Sequence, residues 1–97
     1  YSEAEPLYER SLHICEQHLG ADHPDTAIRL NNLAVLYESM ERYSKAEPLY
    51  VRSLQIREQQ LGADHPDTAQ SLNNLALLYH AMGRYREAEL LYELSLQ

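Results

Sequence analysis

Two copies of the heptapeptide GADHPDT, at 20–26 and 62–68, carry the residues of this chain that are best suited to chemistry. Each copy flanks a histidine with two aspartates, and such a set can bind a metal ion or transfer protons. The same residue types also build turns between helices. A metal site, an acid/base site and a turn are therefore the three interpretations to compare.

The turn interpretation gives nearly every residue of the heptapeptide a structural role. Gly20 suits the left-handed position that ends a helix, and Pro24 suits the first turn of the next helix. Asp22 or His23 can cap that helix, and Asp25 favours its positive end. We therefore interpret both copies as turns, in which the histidine alone lacks a definite structural role.

The remaining candidates for metal binding or catalysis are weaker. Cys15 and His18 share a helix face but supply two ligands, whereas protein metal sites usually need three or four. His23 and His65 lie in separate turns of adjacent repeats. A helix-packing distance of ~10 Å separates such repeats, which is too far for both histidines to bind one ion. We find no Ser–His–Asp arrangement, glycine-rich phosphate loop or paired-cysteine motif. The sequence thus predicts no catalysis, no metal and no cofactor, so the segment is not expected to be an enzyme.

Composition limits the possible partners. The net charge of the 97 residues is −7 with eight scattered Lys and Arg, which argues against nucleic-acid binding because no basic stripe exists. No apolar run approaches the ~20 residues of a membrane span. Cys15 is the single cysteine, and an unpaired thiol is typical of a reducing compartment, so we expect a cytoplasmic location.

A repeat of 42 residues organises the whole chain. Residues 1–42 and 43–84 are identical at 31 of 42 positions. Periods of this length indicate stacked supersecondary units. The return of GADHPDT then carries no functional information, because the repeat would copy any turn.

Each unit is predicted to contain two helices, here called the first and the second helix. The first, from Pro24 to Met40, has an apolar stripe, and the second runs from Ser44 to Leu61. The stripes comprise Leu30, Leu33, Ala34, Tyr37 and Met40, and then Ala46, Leu49, Tyr50, Ser53, Leu54 and Leu61. Ser44 to Glu47, repeated at Ser2 to Glu5, matches a capping box. Strand signals are absent, so the fold class is predicted to be all-α.

The helices define about two and a half repeats of an α-solenoid of antiparallel helix pairs. Residues 1–19 form a second helix, 20–61 a full repeat, and 62–97 a repeat that is truncated in its second helix. Without visible polar end caps, we expect a fragment of a longer array whose exposed ends can stack on neighbours, including end-to-end self-association.

The chain resembles the tetratricopeptide repeat family, and in particular its kinesin-light-chain type. The resemblance rests on NNLALLY at 73–79, GRY at 83–85, Ala88, Tyr92 and Ser95, together with LGADHPDTA and LNNLA. It implies a right-handed superhelix with first helices lining the concave side, and a role in binding proteins or peptides. Glu41 departs from the family's usual glycine, so it must avoid or tolerate positive φ.

Differences between the two units concentrate on the face of the first helix opposite its apolar stripe. Ile28, Val35 and Leu77 are apolar on this face, which favours groove lining, although they could instead pack on a neighbouring helix. The candidate groove residues are Asn31, Asn32, Val35, Glu38, Asn73, Asn74, Leu77 and His80.

The asparagines have two possible roles. An amide can hold the backbone of an extended peptide, and the resemblance implies this for Asn32 and Asn74. The alternative is a hydrogen bond to an adjacent helix, which remains equally open for Asn31 and Asn73.

The sequence therefore predicts a scaffold that binds a peptide or protein segment in the concave groove. The alternative is a structural spacer or self-assembling array without a dedicated ligand. A ligand with a free carboxylate is not favoured, because the matched groove lacks a basic clamp, although Arg29 lies near its edge. Glu38 and His80 would allow a mixed or basic ligand.

Overall fold

The computed structural model describes residues 3–96, and these residues form five α-helices. They are α1 (Ala4–Leu19), α2 (Pro24–Ser39), α3 (Tyr43–Leu61), α4 (Pro66–Ala81) and α5 (Tyr85–Ser95). Each helix packs on the next one along the chain, so that the chain alternates between first and second helices. The bounds of α2 and α3 match the predicted helices to within one residue, and residues 3–96 contain no strand. Within this range, no helix is both long and apolar enough to cross a membrane.

Small residues bring α2 and α3 into close contact. Ala34, Ala46 and Ser53 are fully buried, and the Ser53 hydroxyl donates a hydrogen bond to the Ala27 carbonyl over 2.9 Å. The predicted stripe of α2 is buried, with Met40 half-buried at its end. The apolar pattern of the sequence therefore identifies the core of this helix correctly.

The turns that contain GADHPDT use glycine differently from the prediction. Gly20 has φ 103° and ψ 158°, and Gly62 has φ 96° and ψ 159°, which is not the left-handed helical conformation. This region of backbone space is essentially restricted to glycine. The hydroxyl of Thr26 donates to the Gly20 carbonyl over 2.7 Å and closes the turn, as Thr68 does for Gly62 over 2.8 Å.

The histidine of each heptapeptide has a structural role after all. His23 is the N-cap of α2, and its Nδ1 accepts a hydrogen bond from the Asp25 amide over 3.0 Å. His65 makes the same 3.0 Å bond to the Asp67 amide at the start of α4. The ring nitrogen takes the position that the side-chain oxygen of Asp, Asn, Ser or Thr usually takes in a cap.

The predicted capping box at the start of α3 is wrong. The helix begins at Tyr43, its N-cap Arg42 makes no side-chain cap bond, and Ser44 lies inside the first turn. Glu47 is used elsewhere, in a contact with α4 described below. The other copy of the motif begins at Ser2, which lies outside the described residues.

Glu41 adopts the conformation for which the resembled family uses glycine. Its φ is 59°, and the equivalent Gly83 has φ 80°. Both amides bond back to the preceding helix, from Glu41 to the Glu38 carbonyl over 2.9 Å and from Gly83 to the His80 carbonyl over 3.1 Å. Glu41 therefore tolerates positive φ in order to keep this turn.

Candidate functional site

The faces of α2 and α4 that lie opposite their apolar stripes, here called the outward face, carry exposed apolar side chains. Ile28 is 41% exposed, Val35 45% and Leu77 48%. Within residues 3–96, these side chains are therefore not covered by a neighbouring helix, although packing was one of the two alternatives. Exposed aliphatic side chains on a shared face are typical of a surface that contacts a partner.

The asparagines of this face divide into two pairs. The Asn74 amide donates to Oδ1 of Asn31 over 3.0 Å, which joins α4 to α2. Asn32 is the repeat equivalent of Asn74, and Asn73 is the repeat equivalent of Asn31. Both Asn32 and Asn73 are exposed and make no side-chain hydrogen bond within residues 3–96. One amide pair thus links adjacent first helices, while the other two amides face solvent.

Asn32 borders a depression between α1 and α2. The depression has a volume of about 280 Å³ and is lined by Tyr8, Asn32, Val35, Leu36 and Ser39. A smaller hollow of about 60 Å³ adjoins it, where Arg29 and Ser11 join Tyr8 and Asn32. Tyr8 is not among the predicted groove residues; it belongs to a second helix and is 42% exposed. The depression therefore offers an amide, a phenol ring and an aliphatic side chain, with a guanidinium nearby.

The two equivalent positions 38 and 80 have different environments. The Tyr50 hydroxyl donates to Oε1 of Glu38 over 2.7 Å, and burial raises the pKa of Tyr50 above its ordinary value. Glu38 is half-buried by this contact, so part of its accepting capacity is already used. His80 is exposed and packs edge-on against Tyr85, with ring centroids 5.0 Å apart. His80 is thus the more accessible of the two to a ligand.

A cluster of three side chains connects each first helix to the preceding second helix. The Tyr79 hydroxyl donates to Oε2 of Glu47 over 2.9 Å, and Arg84 donates to the same oxygen over 3.1 Å. The guanidinium of Arg84 lies 4.2 Å from the centre of the Tyr79 ring. Such stacking adds a cation–π attraction to the charged hydrogen bond.

The preceding unit repeats this cluster with a second acceptor. Tyr37 donates to Glu5 and Glu9, both over 3.2 Å, and Arg42 bonds Glu5 over 3.0 Å. Burial, reinforced by the glutamates, raises the pKa of Tyr37 and of Tyr79 to about 12. The joint role of these residues is not predicted from the sequence, although the repeat copies Glu5, Tyr37 and Arg42 at 47, 79 and 84.

The two units place an arginine on different helices, Arg57 on α3 in one unit and Arg29 on α2 in the other. Arg57 is 4% exposed and donates to the Asp67 carbonyl, Gln70 and Ser71 from α3 to α4. Burial lowers its pKa. In the preceding unit Cys15 stands at the position of Arg57, and Arg29 at the position of Ser71. Cys15 is buried 3.5 Å from the Thr26 hydroxyl, which gives it a packing role. The described residues contain no group of three His, Cys, Asp or Glu side chains that could hold a metal ion.

Comparison with known proteins agrees with this architecture. The family model for the tetratricopeptide repeat matches residues 1–59 and 40–97, which together cover the chain. The chain therefore belongs to the tetratricopeptide repeat family, and its repeats are of the kinesin-light-chain type.

A solved structure that it matches is the crystal structure of BtubC (BKLC) from P. vanneervenii, with 25% sequence identity and a TM-score of 0.91. The match covers 98% of this chain but only 37% of BtubC. The comparison with curated proteins gave no match. Together with the five helices, the match establishes an all-α solenoid of tetratricopeptide repeats, a fold that generally mediates protein–protein interaction.

Proposed function

We propose that the outward face of α2 and α4 binds an extended segment of a partner protein in the concave groove of the array. The observation that supports this most strongly is the exposure of Val35 and Leu77 beside exposed asparagine amides. This is also the face on which the two units differ, while their buried stripes are identical. A fixed scaffold with individually varied outward positions suits recognition of a specific segment.

The depression beside Asn32 provides the contacts for such a segment. The Asn32 amide can donate to a carbonyl and accept from an amide of a ligand backbone. Tyr8 and Val35 supply apolar surface for a ligand side chain, since both line the same depression. Leu77 and His80 extend the surface along α4. Because Glu38 is engaged by Tyr50, the favoured ligand has aliphatic or aromatic side chains and few basic ones.

The experiment compares Asn32→Ala with Asn74→Ala. Peptides selected from a random display library against the chain would be labelled, and their binding measured by fluorescence anisotropy. Asn32→Ala should weaken binding by about tenfold, because two peptide hydrogen bonds lose their partner. Asn74→Ala is the matched control, because it removes an asparagine that bonds Asn31 between the two first helices. Asn74→Ala should therefore lower the melting temperature more than Asn32→Ala does.

Binding that survives both Asn32→Ala and Val35→Ser without change would contradict the proposal. The chain would then match the alternative of a spacer or self-assembling array, which would bury ends such as Leu7 and Leu96, 68% and 86% exposed. Light scattering after gel filtration at two concentrations measures that self-association directly. The same proposal includes a cytoplasmic location, no nucleic-acid ligand and no catalytic activity of this segment.

A further inference from the structure

The outer surface of α5 differs from that of α3 in a concerted way. Between 43–53 and 85–95, the differences are at Ser44, Lys45, Pro48, Val51 and Arg52, which become Arg86, Glu87, Leu90, Glu93 and Leu94. None of these five positions of α3 is buried, whereas the buried Ala46, Tyr50 and Ser53 reappear unchanged in α5. The scaffold is therefore the same, and only the outer surface of the second helix has changed.

The loss of an arginine opens this surface. In the earlier unit, Arg52 extends from α3 to Glu16 of α1 over 2.7 Å and to the Ala21 carbonyl over 3.1 Å. By the 42-residue repeat, Leu94 takes the place of Arg52 and Glu58 takes the place of Glu16. The ion pair between successive second helices thus has no counterpart at α5. Leu94 is 52% exposed instead.

A groove with an apolar floor lies where the arginine would have crossed. Its volume is about 330 Å³, and it is lined by Leu75, Tyr79, Glu87, Leu90, Leu91 and Leu94. Leu90 and Leu94 are 56% and 52% exposed and lie one helical turn apart. Leucines at this spacing form the kind of stripe that receives the apolar face of another helix.

The rim of the groove is acidic. Lys45 of α3 is replaced by Glu87, which lines the groove, and Arg52 is replaced by Leu94. Glu58 is exposed on the α3 side, and by the repeat it no longer faces an arginine. Arg84 holds Glu87 at one end of the groove without covering the leucines. A bound segment would therefore meet leucines between carboxylates.

We propose that this surface, the α5 groove, is a second docking site that binds a cationic amphipathic helix of a partner protein. Leucine-type side chains of the partner fill the groove, and its Lys or Arg side chains pair with Glu58 and with the exposed Glu87. A second copy of the chain fits less well, because two molecules of charge −7 would bring the same acidic rims together. The site lies between α4 and α5, shares no residue with the proposed peptide-binding face, and does not depend on the peptide-binding proposal.

The test uses an 18-residue helical peptide with leucines on one face and lysines on the others, labelled for fluorescence anisotropy. Leu94→Arg is the informative variant, because it restores the residue that pairs with a glutamate at the equivalent position in the earlier unit. The substitution removes the apolar side chain that the peptide contacts. The new guanidinium can pair with Glu58 without any change in the backbone. We expect it to weaken binding by at least about tenfold. Circular dichroism should show an unchanged helix content.

Two controls separate the α5 groove from general adhesion. Leu77→Arg places the same change on the other face and should leave the lysine peptide bound with unchanged affinity. A peptide with glutamates in place of the lysines should bind at least about tenfold more weakly, and raising the salt concentration should weaken the lysine peptide. Equal binding of the two peptides would overturn the proposal, as would equal affinity of the Leu94→Arg variant. Formation of a dimer that Leu94→Arg abolishes would show that a second copy is the occupant instead.

Discussion

Replacing Glu41 with glycine should stabilise the chain, although no contact is gained. Glu41 has φ 59°, a left-handed conformation that costs a residue with a Cβ about 1–2 kcal/mol. Glycine avoids this cost but loses about 0.5–1 kcal/mol more through the greater freedom of the unfolded chain. The expected net gain in the free energy of unfolding is therefore about 0.5–1 kcal/mol, and a chain of this size shifts its Tm by about 4–8 °C per kcal/mol.

The equivalent turn supplies the reverse change. Gly83 has φ 80°, and a Cβ built on it meets no heavy atom within 4 Å. Gly83→Glu should therefore destabilise the chain without any steric clash, by about the 0.5–1 kcal/mol that Glu41→Gly gains. The double variant should return close to the parent stability, because the two turns belong to different units. Urea unfolding followed by circular dichroism measures all three variants.

Charge is the competing explanation for the gain. Glu41 follows the C-terminus of α2, where a negative charge is unfavourable by about 0.3–1 kcal/mol at low salt. Glu41→Ala removes the charge but keeps a Cβ at positive φ, so it should recover the charge contribution of about 0.3–1 kcal/mol without the conformational gain. If Glu41→Ala stabilises the chain as much as Glu41→Gly, or if Glu41→Gly has no effect, the conformational reasoning is refuted.

Two further predictions follow from the contacts at the helix ends and between the units. His65→Ala should lower the free energy of unfolding by about 1 kcal/mol, because the Asp67 amide loses its cap, whereas His65→Asn should restore most of it; denaturant unfolding measures both, and peptide binding should stay unchanged. The pKa of Tyr79, raised to about 12 from an ordinary 10, means that the folded state favours the protonated phenol. Its contribution is complete below about pH 10 and is lost as the pH rises toward 12. Tyr79→Phe should therefore flatten the loss of stability over that interval, and a parent and variant with the same pH profile would rule this out.

The sequence predicts most of the fold because the repeat and the apolar stripes act together. A 42-residue period and helical spacing of Leu30, Leu33 and Tyr37 are sufficient to place α2 and its core to within a residue. The turn geometry was harder to predict. The histidine caps depend on a ring nitrogen that substitutes for a carboxylate oxygen, and the capping box at Ser44 fails because the helix begins one residue earlier.

The candidate site is only partly predictable, because its contacts join different units. The bond between Asn74 and Asn31 spans 43 positions, and nothing in the local pattern distinguishes these two amides from Asn32 and Asn73. The repeat does copy them, but copying alone cannot show which amide of one unit meets which amide of the next. Tyr8 was missed for the same reason, since it reaches the depression from the helix before the repeat in question.

The differences between units distinguish the residues that attach one unit to the next from the residues at the surface of the array. Glu47, Tyr79 and Arg84 repeat because each unit must attach to the one before it, and a change in one member would leave a buried or half-buried polar group without its partner. Arg57 and Arg29 show that an arginine can lie on either helix, buried on α3 or exposed on α2, when positions 70 and 71 change with it. Leu77 makes no such contact and varies without cost to the attachment of the units, whereas Leu94 replaces an arginine whose counterpart Arg52 joins α3 to α1. We therefore expect the two proposed binding surfaces, the outward face of α2 and α4 and the α5 groove, to bind their partners independently. Leu77→Arg and Leu94→Arg should each affect the binding of one partner only.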